Sequence, residues 1–174
     1  MSEADPQLLL GAIDEVARAV GAEGQPETSF AALEAAMGRV IGHKLFTILV
    51  VDPDRCESAR IYTNQPAAYP VGGRKPRPEN GWAVRLLDQG APYIGYTADD
   101  IRSVFFDHEL IRSLGCESVL NLPIRYDGRT LGTINMLHQA RWYADRHAEI
   151  GRSFAALAVP AVRLVIARGL PVPR

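Results

Sequence analysis

Three polar side chains sit where an apolar strand would not normally keep them. Asn121 lies in Ser118-Val119-Leu120-Asn121-Leu122-Pro123-Ile124-Arg125, and Thr133 and Asn135 lie in the returning run Thr130 to His138. Burying an amide without a partner costs on the order of 2–7 kcal/mol, so each must be satisfied by protein or by ligand. Whether they share a face depends on the turn Tyr126-Asp127-Gly128-Arg129. A three-residue bulged turn sets 121 opposite 133 and 119 opposite 135. A two-residue type I′ turn sets 121 opposite 134 and sends Asn135 to the other face. In the first arrangement the three groups converge and can read a ligand. In the alternative, each amide bonds a helix end or a loop backbone.

Other residues invite chemistry more weakly. Asn80-Gly81-Trp82 opens a helix whose first N–H groups could hold a carboxylate or phosphate, with Arg74, Lys75 and Arg77 just before it. The alternative is a proline-stiffened, solvated loop with Trp82 in the core. At helical spacing Ile101, Phe105 and His108 share a face, so His108 is either a ligand donor or a partly exposed structural histidine. Asp107-His108-Glu109 lacks metal geometry, because adjacent residues on a helix diverge. Cys56 and Cys116 form no CxxC and no Cys/His cluster. Cys116 reads as a small buried apolar residue, and Cys56 as a loop thiol beside Arg55. No Ser/His/Asp set and no phosphate loop is visible.

The elements that must position these residues can be read from periodicity. Leu9, Leu10, Ile13, Val16, Ala17 and Val20 have helical spacing over 7–20. A second helix fits 29–41, capped by Thr28 or Ser29 and closed by Gly42, with Phe30, Leu33, Met37, Val40 and Ile41 on its apolar face. Leu45 to Val51 and Ser58 to Thr63 read as an antiparallel pair of strands. The proline-rich stretch 64–81 reads as a loop or irregular edge. A short helix Trp82 to Asp88, a strand 92–96 and a helical stretch 98–113 capped by Thr97 follow, with Asp99 and Asp100 in the first turn of the last. Asp127-Gly128 predicts a hairpin, and Pro123 places a bulge or edge in its first strand. A helix over 145–168 is predicted to bend at Pro160. His138 and His147 flank Arg141-Trp142-Tyr143, which reads as a hydrophobic staple into that helix.

The chain has 174 residues, 19 basic and 20 acidic, for a net charge of −1. That length fits one domain able to bury about 70% of its unfolded surface. The charge balance argues against a nucleic-acid backbone as partner. Met1 to Pro6 is short and acidic, unlike a signal peptide, and the apolar run Phe154 to Val162 is too short for a bilayer. The expectation is a cytoplasmic protein with two reduced thiols.

The order α-α-β-β-α-β-α-β-β-α fits an α+β domain with a mostly antiparallel sheet. Several motifs in that order resemble a GAF domain over about residues 28–168. They are the first strand ending in Asp52-Pro53, the step Asp88-Gln89-Gly90-Ala91-Pro92-Tyr93-Ile94, the run Leu114-Gly115-Cys116-Glu117-Ser118-Val119-Leu120-Asn121-Leu122-Pro123-Ile124, and Asp127-Gly128-Arg129-Thr130-Leu131-Gly132-Thr133-Ile134-Asn135. The resemblance implies a central antiparallel sheet of five or six strands, with terminal helices on one face. Loops and short helices would enclose a small-molecule pocket on the other. It implies that Gly81 and Trp82 line that pocket, and that the segment holding Tyr96, Asp99, Asp100, Phe105, Phe106 and His108 covers it. It also implies a sensory or regulatory role, often in dimers.

Three features depart from better-defined branches of the family. The Asn-Lys-Phe-Asp/Glu sequence of cyclic-nucleotide binders is missing, neither cysteine lies in a bilin-attachment motif, and the cysteine cluster of free methionine sulfoxide reductases is missing. The expected division is an N-terminal helical extension over 1–27 that makes a dimer contact, the domain over 28–168, and a tail over 169–174. No output domain is recognised after residue 168, so a stand-alone member is expected. The predicted protein is a non-catalytic binder of a small metabolite, using no cofactor and no metal, with no nucleic-acid or membrane partner. It would signal through a homodimer of terminal helices or through a separate protein. The apolar row Leu9, Ile13, Val16, Val20 motivates the dimer. Two alternatives are a thiol-dependent reductase of the free methionine sulfoxide type and a structural dimerisation module with a collapsed pocket.

Overall fold

The structure is a computed structural model that describes residues 5–171. Helix α1 spans Pro6–Val20, with Pro6 in its first turn and the Asp5 carboxylate accepting from the Gln7 N–H at 3.0 Å. Its apolar row turns inward: Val16 is buried, and Leu9, Ile13 and Val20 pack against the core. Leu9, Ile13 and Val20 are thereby half-buried within their own domain, and of the apolar residues on α1, Leu8, Leu10 and Ala17 are exposed.

Helix α2 spans Glu27–Val40 and starts earlier than expected. Neither Thr28 nor Ser29 caps it. The Thr28 hydroxyl donates back to the carbonyls of Glu23 and Gly24, and the Ser29 hydroxyl donates to Gln25 Oε1. Gly42 ends the helical turn with φ +91°, its N–H donating to Met37 O.

The strands are β1 (Leu45–Asp52), β2 (Glu57–Thr63), β3 (Arg74–Pro76), β4 (Tyr93–Gly95), β5 (Ser118–Tyr126) and β6 (Arg129–His138). They form one antiparallel sheet in the order β3-β2-β1-β6-β5-β4. Strand β3 is a three-residue edge inside the stretch 64–81 expected as a loop or irregular edge. Between β3 and β4 a single turn α3 (Gly81–Ala83) widens into a π-type turn over Val84–Asp88.

The expected single helix over 98–113 is two, α4 (Ala98–Val104) and α5 (His108–Ser113), broken where Phe105 turns extended at φ −111°, ψ 125°. Phe105 and His108 therefore do not share a helix face. The last helix is also two, α6 (Asp145–Leu157) and α7 (Val159–Arg168), inclined at 48° with Pro160 in the first turn of α7. The Trp142 indole N–H donates to Ile41 O at 2.9 Å and the Tyr143 hydroxyl to Gly42 O at 3.1 Å. The turn before α6 thus latches onto the end of α2 rather than serving only its own helix. Among the described residues, no single helix is long and apolar enough to cross a membrane.

The β5–β6 register is neither of the two expected. Asp127 (φ +49°) and Gly128 (φ +72°) make a two-residue turn, pairing Tyr126 with Arg129 and Arg125 with Thr130. A bulge between Ile124 and Arg125 then shifts the pairing by one, so Ile124 faces Gly132 and Asn121 faces Asn135. The turn is of the tight kind, yet the bulge restores the common face for Asn121, Thr133 and Asn135. Gly132 lets β1 pass close, since a side chain there would collide with the Leu49 carbonyl oxygen.

Alternation along the strands sorts the core into two layers. Phe46, Ile48, Val50, Leu120, Leu122, Ile134 and Met136 pack on the terminal helices through Phe30, Leu33, Met37, Phe154 and Val162. The opposite face carries a much smaller cluster, Leu45, Val119 and Leu137 with Tyr69, Ile101, Ile111 and Cys116. The less crowded second face is where a cavity opens.

Candidate functional site

The cavity lies between the sheet and the segments connecting β2 to β5, and has a volume of about 190 Å³. Its floor is polar. Thr47, Asn121, Thr133 and Asn135 all line it, and all are buried. They form a chain of hydrogen bonds. Asn121 Nδ2 donates to Asn135 Oδ1 at 2.7 Å, and Asn135 Nδ2 donates to Thr133 Oγ1 at 3.1 Å and Thr47 Oγ1 at 3.3 Å. The Trp82 indole N–H donates to Asn121 Oδ1 at 2.9 Å. The amides satisfy one another and Trp82, not a helix end or a loop carbonyl. Such a network holds its members in fixed orientation.

The roof is aromatic. Trp82 meets Phe105 edge-on at 5.6 Å between ring centroids, and Phe106 and Val104 complete it. Phe105 reaches the cavity because the helical stretch breaks there.

One wall carries a set of charges that the sequence reading did not assemble. Lys75 Nζ lies 2.7 Å from Asp107 Oδ2, and the Tyr69 hydroxyl donates to the same oxygen at 2.9 Å. Burial pushes the Lys75 ammonium down, against the opposing pull of Asp107. Burial alone would raise the Asp107 carboxyl. The Lys75 charge and the hydrogen bonds from Lys75 and Tyr69 outweigh it and hold the group below the ordinary carboxylate range. Arg60 of β2 is only 5% exposed. Its guanidinium carbon stands 4.7 Å from the Tyr69 ring centroid, and Nη1 donates to Pro70 O at 3.0 Å. Desolvation lowers its pKa, opposed by Tyr69 and Asp107.

Of the expected site residues, the structure brings Asn121, Thr133, Asn135, Trp82 and Phe105 to the cavity. Tyr96, Asp99, His108 and Gly81 are not on its lining. Tyr96 borders a more open hollow with Arg85, Asp145 and Arg152. Asp99 is exposed and pairs with Arg102. His108 begins α5 and is half-buried. Gly81 is exposed, and the Asn80 side chain already accepts from Ala83 N–H at 3.1 Å, so the expected anion-holding turn is partly filled from within.

The basic run before it is spoken for as well. Arg74 pairs with Asp52 and Glu57, Lys75 with Asp107, and Arg77 with Asp88. Asp100 is consumed by the Thr97 capping box, where N–H groups of Tyr96 and Thr97 and the Thr97 hydroxyl hold its carboxyl low. Arg60 had a visible signal, an arginine between Ala59 and Ile61 in a strand. The Lys75–Asp107 pair had none, because its members are 32 positions apart. Cys56 is exposed and Cys116 buried; both are free thiols and neither lines the cavity. Among the described residues, no group of three His, Cys, Asp or Glu is placed to hold a metal.

A family model described as "GAF domain" matches residues 24–163. No curated protein matches the chain in sequence. Solved structures show the same fold. The GAF domain of a phosphoenolpyruvate-protein phosphotransferase from Coxiella burnetii superposes with a TM-score of 0.74 at 16% identity, covering 97% of this chain and 99% of that one. Free methionine-R-sulfoxide reductase from Neisseria meningitidis, solved with its substrate, gives 0.71 at 16% identity, covering 97% and 98%. The chromophore-binding domain of a bacteriophytochrome from R. palustris gives 0.71 at 13% identity, covering 97% of this chain and 64% of that one.

Proposed function

This chain belongs to the GAF domain family, and from that membership we propose that its cavity binds a small amphipathic metabolite and that occupancy acts as a regulatory signal. The observation that carries the reading is the pairing of a fixed polar floor with an aromatic roof over about 190 Å³ of space. A few placed polar groups in an otherwise apolar hollow are what a small-molecule site needs. The roof belongs to the connecting segments rather than to the sheet, so a bound molecule would brace Trp82 and the Phe105 break. That change is the signal, passed to a second copy of the chain through the terminal helices or to a separate protein. The reading gives the cavity no catalytic step. A thiol reductase would need a cysteine at the site, and both cysteines stand off the lining.

A thermal-shift screen against metabolites of mixed charge tests the reading. A ligand at a hundred times its Kd adds about 2.7 kcal/mol to stability, a Tm rise of roughly 5–10 °C for a domain this size. A panel in which nothing raises Tm overturns it.

A further inference from the structure

A buried cation without a counter-charge is expensive, and proteins rarely keep one unless something neutralises it. Arg60 is in that position. Among the described residues it makes no ion pair, Nη1 has the Pro70 carbonyl, and Nε is sealed off with no acceptor. A guanidinium carries five N–H donors, so most of this one's capacity is unused. The other charges on the wall cancel locally. Lys75 is matched by Asp107, and Arg77 is held by both oxygens of Asp88 at 2.9 and 2.7 Å. Arg60, Lys75 and Asp107 therefore keep one net positive charge between them, and Arg60, 5% exposed and lining the cavity, is the cation of the two without an ion pair.

We infer that the cavity takes a small organic monoanion, a carboxylate on an apolar or aromatic body, with the carboxylate held by Arg60. The inference rests on the cavity being a ligand site and adds the ligand's charge and shape. Arg60 sits on the cavity-facing side of β2 with Ser58, its Cα opposite Leu49 of β1, so a hydroxyl donor and an apolar side chain line the cavity along with it. The Tyr69 ring beneath it keeps the guanidinium plane in place. Beyond Arg60 the space is bounded by Trp82, Phe105 and Phe106, which suit a ring or a short alkyl chain. Volume sets the size. An apolar cavity of about 150 Å³ admits benzene, so about 190 Å³ holds a ring with a carboxylate attached. A dianion would leave its second charge among the aromatic rings, and a cation would face Arg60.

The test compares phenylacetate with its neutral isostere phenylacetamide. Trp142→Phe leaves Trp82 as the only tryptophan, so its emission reports the cavity directly. Phenylacetate is expected to raise Tm and perturb Trp82 emission, and phenylacetamide to bind at least about tenfold more weakly, the difference between a charge-assisted bond and a neutral one. Arg60→Gln is expected to erase that preference, while Arg60→Lys keeps part of it. Should the variants fail to fold, the comparison on the protein with Arg60 intact still decides the charge. Equal binding of acid and amide, or an acid preference that survives in Arg60→Gln, overturns the inference and leaves the ligand site standing. The inference is overturned in the same way if phenylacetate, butyrate and hexanoate all fail while a neutral or cationic compound from the screen binds. If nothing binds, both readings fall.

Discussion

Asp107 uses one oxygen for two donors. Lys75 and Tyr69 both meet Oδ2, while Oδ1 is sealed without a partner. Asp107→Asn leaves a buried ammonium with a weaker acceptor, and breaking such a pair from one side is costly. The expected loss is about 2–4 kcal/mol in urea unfolding, at the lower end because the Lys75 side chain keeps some access to water. The acid limb of stability carries the same signature. The folded-state pKa of Asp107 is depressed, so its contribution is fully present above the unfolded value of about 3.9 and is lost as pH falls through the folded value. Stability of the unaltered protein is expected to drop below about pH 4 more steeply than that of Asp107→Asn, and parallel acid limbs would refute the assignment. Residues differ in how far the sequence discloses them. Asn121 and Asn135 stand out because an amide in an apolar strand demands an explanation. Arg60 meets the same criterion between Ala59 and Ile61. Lys75 and Asp107 look like ordinary surface charges, and only the folding of the β2–β5 connection brings them together.

Elements were legible where a local device sets them and obscure where a distant contact does. Asp127-Gly128 fixes the hairpin by its own backbone preference, and Pro123 marks the neighbourhood of the register shift at Ile124/Arg125, but the new pairing of Asn121 with Asn135 depends on the whole β5–β6 ladder rather than on either local signal. The stretch 98–113 has helical periodicity throughout, yet it breaks at 105–107, where Phe105 enters the roof and Asp107 turns to Lys75. Three residues of edge strand such as β3 are too few to carry a period. At the start of α6, His147 illustrates a prediction at this scale. Its Nδ1 accepts from the Ala144 N–H at 3.1 Å, so in the neutral ring the proton sits on Nε2, and a second proton would have to displace the Ala144 bond. Burial, then Arg146, lowers its pKa. A depressed histidine contributes stability that is present above the unfolded value of about 6.5 and lost as pH falls below it toward the folded value. The folded protein is therefore expected to weaken between pH 7 and 5. His147→Gln, which can still accept from Ala144 without titrating, is expected to flatten that slope, though burial of His138 leaves part of it. A slope unchanged in the variant would exclude His147 as its source.

For the whole molecule, the decisive asymmetry is between the two faces of the sheet. One face is pressed against α1, α2, α6 and α7 through a continuous apolar layer. The other rests on short helices and turns through a small cluster, with a cavity beside it. A near-zero net charge says nothing about this, since the charge that matters is the single Arg60 on the thinly packed side. Local opening free energy tracks buried apolar contact, so the two halves should not open together. In native-state hydrogen exchange, the amides of β1, β5 and β6 are expected to exchange only through global unfolding. Those of 81–88 and 98–113 are expected to exchange through smaller openings that leave the helical layer intact. A ligand that binds the closed cavity adds its binding energy to whichever opening releases it. Protection should therefore rise first at 81–88 and 98–107, around Trp82 and Phe105, and reach the sheet only through the global term. Uniform protection in the free protein would remove the mechanical basis for signalling through this segment. A ligand that slowed the terminal helices alone would move the binding site to the other face of the sheet.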